Sequence, residues 1–305
     1  MSASVQGGDA LASDPAVEDR ALEGPHGPLR LRIYRAARPI GPGLVWLHGG
    51  GFHGGSLDMP EGDWVSTEFA RRGISVVSVD YRLAPTLQDP TAPANGDVPA
   101  AAAEGVHYPV PVDEAVHAFR WAVESGLADG PWALGGASAG GNIATGTALR
   151  LVHKGGTVPA LVVLAYPTLL AVQRQPDAEL RAALDAKPEA NKFFAAAVAR
   201  MYQNYLGAPL DAAPGEDLPV YAVPGLAGVE QLRSFPPTIM INDEVDELRV
   251  SGEAFAASLR SAGVEVDAST EPGTQHGHLN RPSEAAASAS LDRFAERINA
   301  LARPR

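Results

Sequence analysis

Three kinds of residue in this chain could act together on a carbonyl. They are a serine at a sharp turn, histidines late in the sequence, and acids on a loop between the two. The serine is Ser138, in Gly136-Ala137-Ser138-Ala139-Gly140, a G-x-S-x-G pattern preceded by the apolar run Pro131-Trp132-Ala133-Leu134 and followed by a helical run from Asn142. Small residues on both sides let a strand turn abruptly into a helix, which pushes the hydroxyl out of the sheet. The helix dipole and the Ala139 N–H then favour an oxyanion formed when Ser138 attacks. In a chain with 32 glycines such a pattern arises by chance in roughly one sequence in five, so it needs company. Its company is Leu44-Val45-Trp46-Leu47-His48-Gly49-Gly50-Gly51, an apolar strand running into three glycines whose N–H groups no side chain shields.

A hydroxyl is a weak nucleophile, so a base must take its proton and an acid must orient the base, in the chain order Ser, acid, His. Downstream of Ser138 lie His153, His276 and His278. His153 sits two to three turns into the helix after the serine, beside Lys154, and reads as solvated surface. His276 and His278 follow the strand-like Val264-Glu265-Val266-Asp267-Ala268 on a late loop, and Gly277 lets that loop bring His276 to Ser138. His276 is the expected base, with His278 the alternative. The acid is expected after Pro237-Thr238-Ile239-Met240-Ile241-Asn242, where Asp243, Glu244, Asp246 and Glu247 are available; Asp246 is preferred and Asp243 is the runner-up.

These motifs resemble the hormone-sensitive-lipase-like branch of the α/β-hydrolases, bacterial carboxylesterases marked by a His-Gly-Gly-Gly loop and a Gly-Asp-Ser-Ala-Gly elbow. The similarity extends to Asp80-Tyr81-Arg82-Leu83-Ala84-Pro85, Tyr166-Pro167, Tyr205-Leu206-Gly207 and Asp246-Glu247-Leu248-Arg249. It implies Ser138, His276 and Asp246 as the catalytic residues, and Gly50, Gly51 and Ala139 as donors of the oxyanion hole. It also implies small, neutral, short-acyl esters as substrates, no cofactor and a plausible homodimer. His48 reads as a packing residue. The chain departs from the pattern at Ala137, where the family has Asp, at Glu247, where it has Pro, and at His278, where it has Phe and which is expected to make the pocket edge more polar. Only sixteen residues precede Val17, so the N-terminal lid (1–16) looks truncated, whereas the extra loop 86–103 is expected to shape substrate entry in its place. Lactonase, amidase or acyltransferase chemistry would use the same apparatus, and a non-catalytic ligand-binding role is disfavoured by the presence of His276.

The elements that must position these groups follow an α/β pattern. Strands near 29–35, 44–48, 74–79, 132–135, 160–166, 238–242 and 264–270 alternate with helices near 63–72, 111–125, 141–153, 249–262 and 283–302. That predicts one α/β-hydrolase domain (1–305), with a mostly parallel sheet covered on both faces. The segment 171–232 breaks the alternation and is expected to be a cap. There a helix over 191–205 would present Phe193, Phe194, Met201, Tyr202 and Tyr205 to a pocket, if they are not simply core. Phe52, Tyr202, Tyr205 and His278 are the expected substrate contacts. At 305 residues and 45% hydrophobic content the chain can bury a large core. A net charge of −12 with no basic run argues against nucleic acid or an anionic membrane as partner. The lack of cysteine removes thiol chemistry and disulfides and suits the cytoplasm. Met1 to Leu11 lacks the pattern of a signal peptide, no run reaches membrane-spanning length, and His276-x-His278 is not read as a metal site.

Overall fold

The computed structural model describes residues 14–87, 105–190, 193–210 and 218–302. Eight strands form one sheet: β1 (Ala16–Gly24), β2 (Gly27–Arg35), β3 (Gly43–Leu47), β4 (Ser75–Val79), β5 (Trp132–Ala137), β6 (Leu161–Ala165), β7 (Thr238–Val245) and β8 (Val266–Gln275). Their spatial order is β1-β2-β4-β3-β5-β6-β7-β8. β1 and β2 form an antiparallel hairpin, and β2 pairs antiparallel with β4. The other pairings are parallel.

The central strands read as unbroken apolar runs because both of their faces are covered: every residue of β3, β4, β5 and β6 is buried. On one face lie α2 (Val110–Glu124), α3 (Ala139–Lys154) and α7 (Arg249–Ser261), whose Phe119, Ile143 and Phe255 join Val45, Leu134 and Leu164 in the larger core. On the other face α1 (Asp63–Arg71) and α8 (Ala285–Asn299) bring Phe69, Leu291 and Phe294 against Trp46, Val163 and Ile241. The expected α/β-hydrolase architecture is the one observed, with element ends within a few residues of expectation. β1, whose charged sequence carries no strand alternation, was not anticipated.

Between β6 and β7 the described chain forms α4 (Ala178–Ala186), α5 (Ala195–Leu206), α6 (Val229–Leu232) and short 3-10 turns at Pro188–Ala190 and Pro224–Leu226. α5 corresponds to the helix expected over 191–205. It ends at Leu206 because Gly207 takes a left-handed conformation, with φ of 70°. The expected N-terminal lid lies outside the described residues up to position 13, as does the 86–103 loop beyond Leu87.

Successive strands are laid down in opposite directions from β3, with β4 on one side and β5 on the other. The crevice at the carboxyl ends of β3 and β5 is therefore the switch point where an open α/β sheet offers a site. The loop from Gly49 leaves one strand there and Ser138 leaves the other.

Candidate active site

Ser138 links β5 directly to α3 with φ of 51° and ψ of −117°, a sparsely populated backbone conformation for a residue with a Cβ. The turn is held by the Ser138 N–H donating to Ala165 O (2.9 Å) and by the Ser138 carbonyl, which accepts from Asn142 N (3.2 Å) and Thr168 N (3.3 Å). Gly140 is required by proximity, since a Cβ there would lie 2.2 Å from the Leu47 carbonyl oxygen. That contact draws the start of α3 against the end of β3 and brings Ser138 beside the glycine loop.

Gly50 has φ of 123°, and a Cβ on it would meet the Gly54 carbonyl oxygen at 2.1 Å. Its own carbonyl accepts from the N–H of both His53 and Gly54, at 3.2 and 2.9 Å, so the loop folds back on itself. Gly50 and Gly51 line the same cavity as Ser138. Ala139 opens α3, and its N–H belongs to the first turn, where a helix leaves its donors without intrahelical partners. His48 is fully buried, stacks on Tyr81 with ring centroids 4.5 Å apart, and shares a hydrogen bond with the Gly49 carbonyl (2.7 Å), as a packing residue would. Burial pushes its imidazole below the ordinary range, only partly offset by the Gly49 carbonyl and Asp80.

The parallel register of β7 and β8 brings acid and base level with each other. Asp243 pairs with Glu271, and after a register shift Val245 pairs with Gln275, so Asp246 and His276 leave neighbouring strand ends side by side. His276 Nε2 lies 2.9 Å from Ser138 Oγ, and His276 Nδ1 lies 2.7 Å from Asp246 Oδ2. The other carboxylate oxygen of the fully buried Asp246 accepts from Leu248 N at 3.0 Å. Burial pushes the His276 imidazole down, and the Asp246 charge and hydrogen bond, with the charges of Asp243 and Glu61, more than offset it, leaving the imidazole raised. The ring is held between Phe193, 4.3 Å away, and the edge of Tyr166, 5.1 Å away. Asp243, Asp246 and His276 bring ligand-type atoms within 4.8 Å of one another, but His276 Nδ1 is engaged by Asp246 and its Nε2 by Ser138.

The cavity over Ser138 measures about 610 Å³. Its apolar wall is Met59, Leu87, Phe193, Ala197 and Met201, and its polar wall includes His53, Glu61, Arg200, Asn280 and Arg281. α5 contributes Ala197, Arg200 and Met201, one face of a helix at spacings of three and four. The expected substrate contacts fall elsewhere. Phe52 stacks on Tyr205 (4.0 Å, 6°) and meets Tyr202 edge-on (5.3 Å), and all three are fully buried beneath the loop. The Tyr202 hydroxyl donates to Thr168 O (3.0 Å) and accepts from Asn142 Nδ2 (2.8 Å). These rings lie behind the wall, and the α5 residues that face the cavity are Ala197, Arg200 and Met201. His278 is not at the pocket edge either; it is completely buried against Asp243 and Ser290. Phe193 does line the cavity, whereas Phe194 is 56% exposed. His153 is exposed on α3, as expected of a surface residue, and its ring nitrogens meet the Tyr221 hydroxyl (3.1 Å) and the Gln231 carbonyl (2.9 Å).

Sequence reasoning missed Glu61. Its carboxylate accepts from Gly49 N (2.8 Å), the Tyr166 hydroxyl (2.8 Å) and Asn280 Nδ2 (2.6 Å), joining the glycine loop, the turn after β6 and the histidine loop. Burial pushes its carboxyl up, with the Tyr166 and Gly49 hydrogen bonds and the His276 charge pulling the other way. No local pattern marks Glu61, which lies on an irregular loop before α1 and acquires its meaning from partners as far along the chain as Asn280.

A hydroxyl, an imidazole and a carboxylate in line at the switch point of a parallel sheet, facing a glycine loop, define a serine hydrolase on an α/β scaffold. The sequence profile of the alpha/beta hydrolase fold matches residues 44–98 and 100–280, and the chain belongs to that family. It is 32% identical to Esterase LipI of Mycobacterium tuberculosis over 277 residues, covering 86% of this chain and 75% of that one. It is 30% identical to an ethyl acetate hydrolase of Pseudomonas putida over 268 residues, covering 84% and 73%. The solved Pyrobaculum calidifontis esterase superposes with a TM-score of 0.75 at 31% identity, covering 96% of this chain and 88% of that chain. Among the described residues no helix is long and apolar enough to cross a membrane.

Proposed function

We propose that this protein is a serine carboxylesterase that hydrolyses small, short-acyl carboxylic esters through an acyl-enzyme on Ser138. The observation that carries the reading is the unbroken line Ser138 Oγ, His276 Nε2, His276 Nδ1, Asp246 Oδ2, with contacts of 2.9 and 2.7 Å, at the floor of a cavity walled by Gly50 and Gly51. The esterase and ethyl acetate hydrolase names of its relatives support the substrate class.

As Ser138 Oγ attacks the ester carbonyl, its proton passes to His276 Nε2. Asp246 holds the Nδ1–H tautomer and stabilises the imidazolium that forms. The carbonyl oxygen becomes an oxyanion, received by the N–H groups of Gly50, Gly51 and Ala139, dipoles fixed before the reaction starts. The tetrahedral intermediate collapses as His276 returns the proton to the departing alcohol. Water, deprotonated by the same imidazole, then attacks the acyl carbonyl and releases the acid with free Ser138. The wall of Met59, Leu87, Phe193, Ala197 and Met201 takes the apolar part of the substrate. A chain without cysteine fits a cytoplasmic enzyme.

Hydrolysis of p-nitrophenyl esters from acetate to decanoate, by wild type and Ser138→Ala in parallel, tests the reading. Activity that peaks at short chains and vanishes in the variant is expected. A folded wild type inert toward every ester would redirect attention to lactones and amides.

A further inference from the structure

Beneath the catalytic line lies a second one of the same composition. His278 Nδ1 lies 2.5 Å from Asp243 Oδ1, and His278 Nε2 lies 2.9 Å from Ser290 Oγ on α8. Asp243, His278 and Ser290 are each completely buried, and none lines the cavity, so this array cannot meet a substrate. Its placement is the informative part. Asp243 is three residues before Asp246, and His278 is two residues after His276, so the acid loop and the base loop are cross-linked twice, at 2.7 Å and at 2.5 Å. The Tyr166 ring packs edge-on against both imidazoles, with centroids 5.1 and 5.2 Å away and the same 70° tilt. Behind Ser290, Glu271 of β8 (3.4 Å) and Arg293 of α8 (3.5 Å) complete the anchorage.

We propose that the Asp243–His278–Ser290 array is a positioning strut for the catalytic base, fixing the 276–278 loop to β7 and α8 so that His276 stays in line between Asp246 and Ser138. The inference rests on the catalytic reading above. A buried carboxylate and imidazole are costly to desolvate, and an apolar side chain of similar size would fill the same space at less cost. What the polar pair adds is direction: hydrogen bonds of fixed length set the loop's height and rotation, whereas an apolar contact leaves both loose. A misplacement of about 1 Å at a reacting group can cost on the order of a hundredfold in rate, so a residue that never touches substrate can still govern turnover.

The test compares His278→Leu, which removes the strut, with His278→Gln, which keeps a polar side chain between Asp243 and Ser290. Both are measured as kcat and KM on the best p-nitrophenyl ester of the wild type, with folding checked by thermal melting. The leucine variant is expected to lose about tenfold in kcat with KM within twofold, and the glutamine variant to recover to within about threefold of wild type. Asp243→Asn combined with His278→Leu should be no slower than the worse single variant, because both changes break one device. If the leucine variant does not fold, Ser290→Ala opens the α8 end alone and should lower kcat about threefold without moving KM. A folded leucine variant with wild-type kcat, a loss confined to KM, a glutamine variant as slow as the leucine one, or a Ser290→Ala enzyme indistinguishable from wild type would overturn the strut. Because every rate is relative to an active wild type, failure of the strut is distinct from failure of the esterase reading.

Discussion

In the proposed mechanism the chemistry turns on the protonation of one imidazole. His276 accepts a proton from Ser138 only when neutral, and its pKa is raised above the ordinary 6.5, so kcat/KM should decline with falling pH along a limb centred above that value. A pH profile of wild-type kcat/KM checks this. The negative charges of Asp246, Asp243 and Glu61 favour the imidazolium. Replacing Glu61 by Gln therefore removes stabilisation of the charged form, and the acid limb should move to lower pH. The same change unsettles the anchor on Gly49, so kcat should fall as well; a Glu61→Gln profile superimposable on wild type would contradict the role of its charge. Asp246→Asn should lower kcat by about 10⁴, the loss characteristic of a Ser-His-Asp triad whose acid is replaced by its amide and whose imidazole is left in the wrong tautomer. Steady-state assays on a single ester suffice to see it.

The elements hold these residues by contacts that can be broken one at a time. Gly140→Ala drives a methyl group to 2.2 Å from the Leu47 carbonyl, so β3 and α3 must separate, and both soluble yield and activity should drop. On α5, Met201→Trp narrows the cavity from its apolar side and should shift chain-length preference toward acetate in the p-nitrophenyl series. How much of this was legible in the sequence differs by element. The β3 loop and the β5 turn were legible because each carries its chemistry locally, as glycines beside a strand end. Chain order and strand succession narrowed the acid to one loop and the base to His276 or His278, the resemblance favoured Asp246 and His276, and these are the two brought into line with Ser138. The pocket lining was not legible. Periodicity places Met201, Tyr202 and Tyr205 on one helix, but which of them faces the cavity depends on how α5 is rotated against Phe52, a tertiary contact. His278 was expected at the pocket edge because it stands where the family has Phe; its burial depends instead on Asp243 and Ser290, 35 and 12 residues away. β1 escaped notice because the hairpin register with β2, and not apolar alternation, defines it.

The whole molecule is a sheet with a core on each face and chemistry at one edge of its crevice, so stability and catalysis are separable. Phe119 is fully buried in the larger core, on α2, away from the catalytic loops. Phe119→Ala should destabilise the fold by about 3–5 kcal/mol, read from denaturant unfolding, while the folded fraction keeps its kcat. Arg82 and the fully buried Glu114 pair tie the loop after β4 to α2. On the proposed reading, the fold holds the Ser138 hydroxyl beside a glycine loop and in line with a buried carboxylate. The most direct test of that claim is rapid mixing with p-nitrophenyl acetate, followed by acid quenching and peptide mass mapping. The prediction is a burst of p-nitrophenol approaching one equivalent per chain, with an acetyl group on the peptide that contains Ser138 and no burst in Ser138→Ala. Turnover of the ester by a Ser138→Ala enzyme, or an acetyl group found only on other residues, would contradict it.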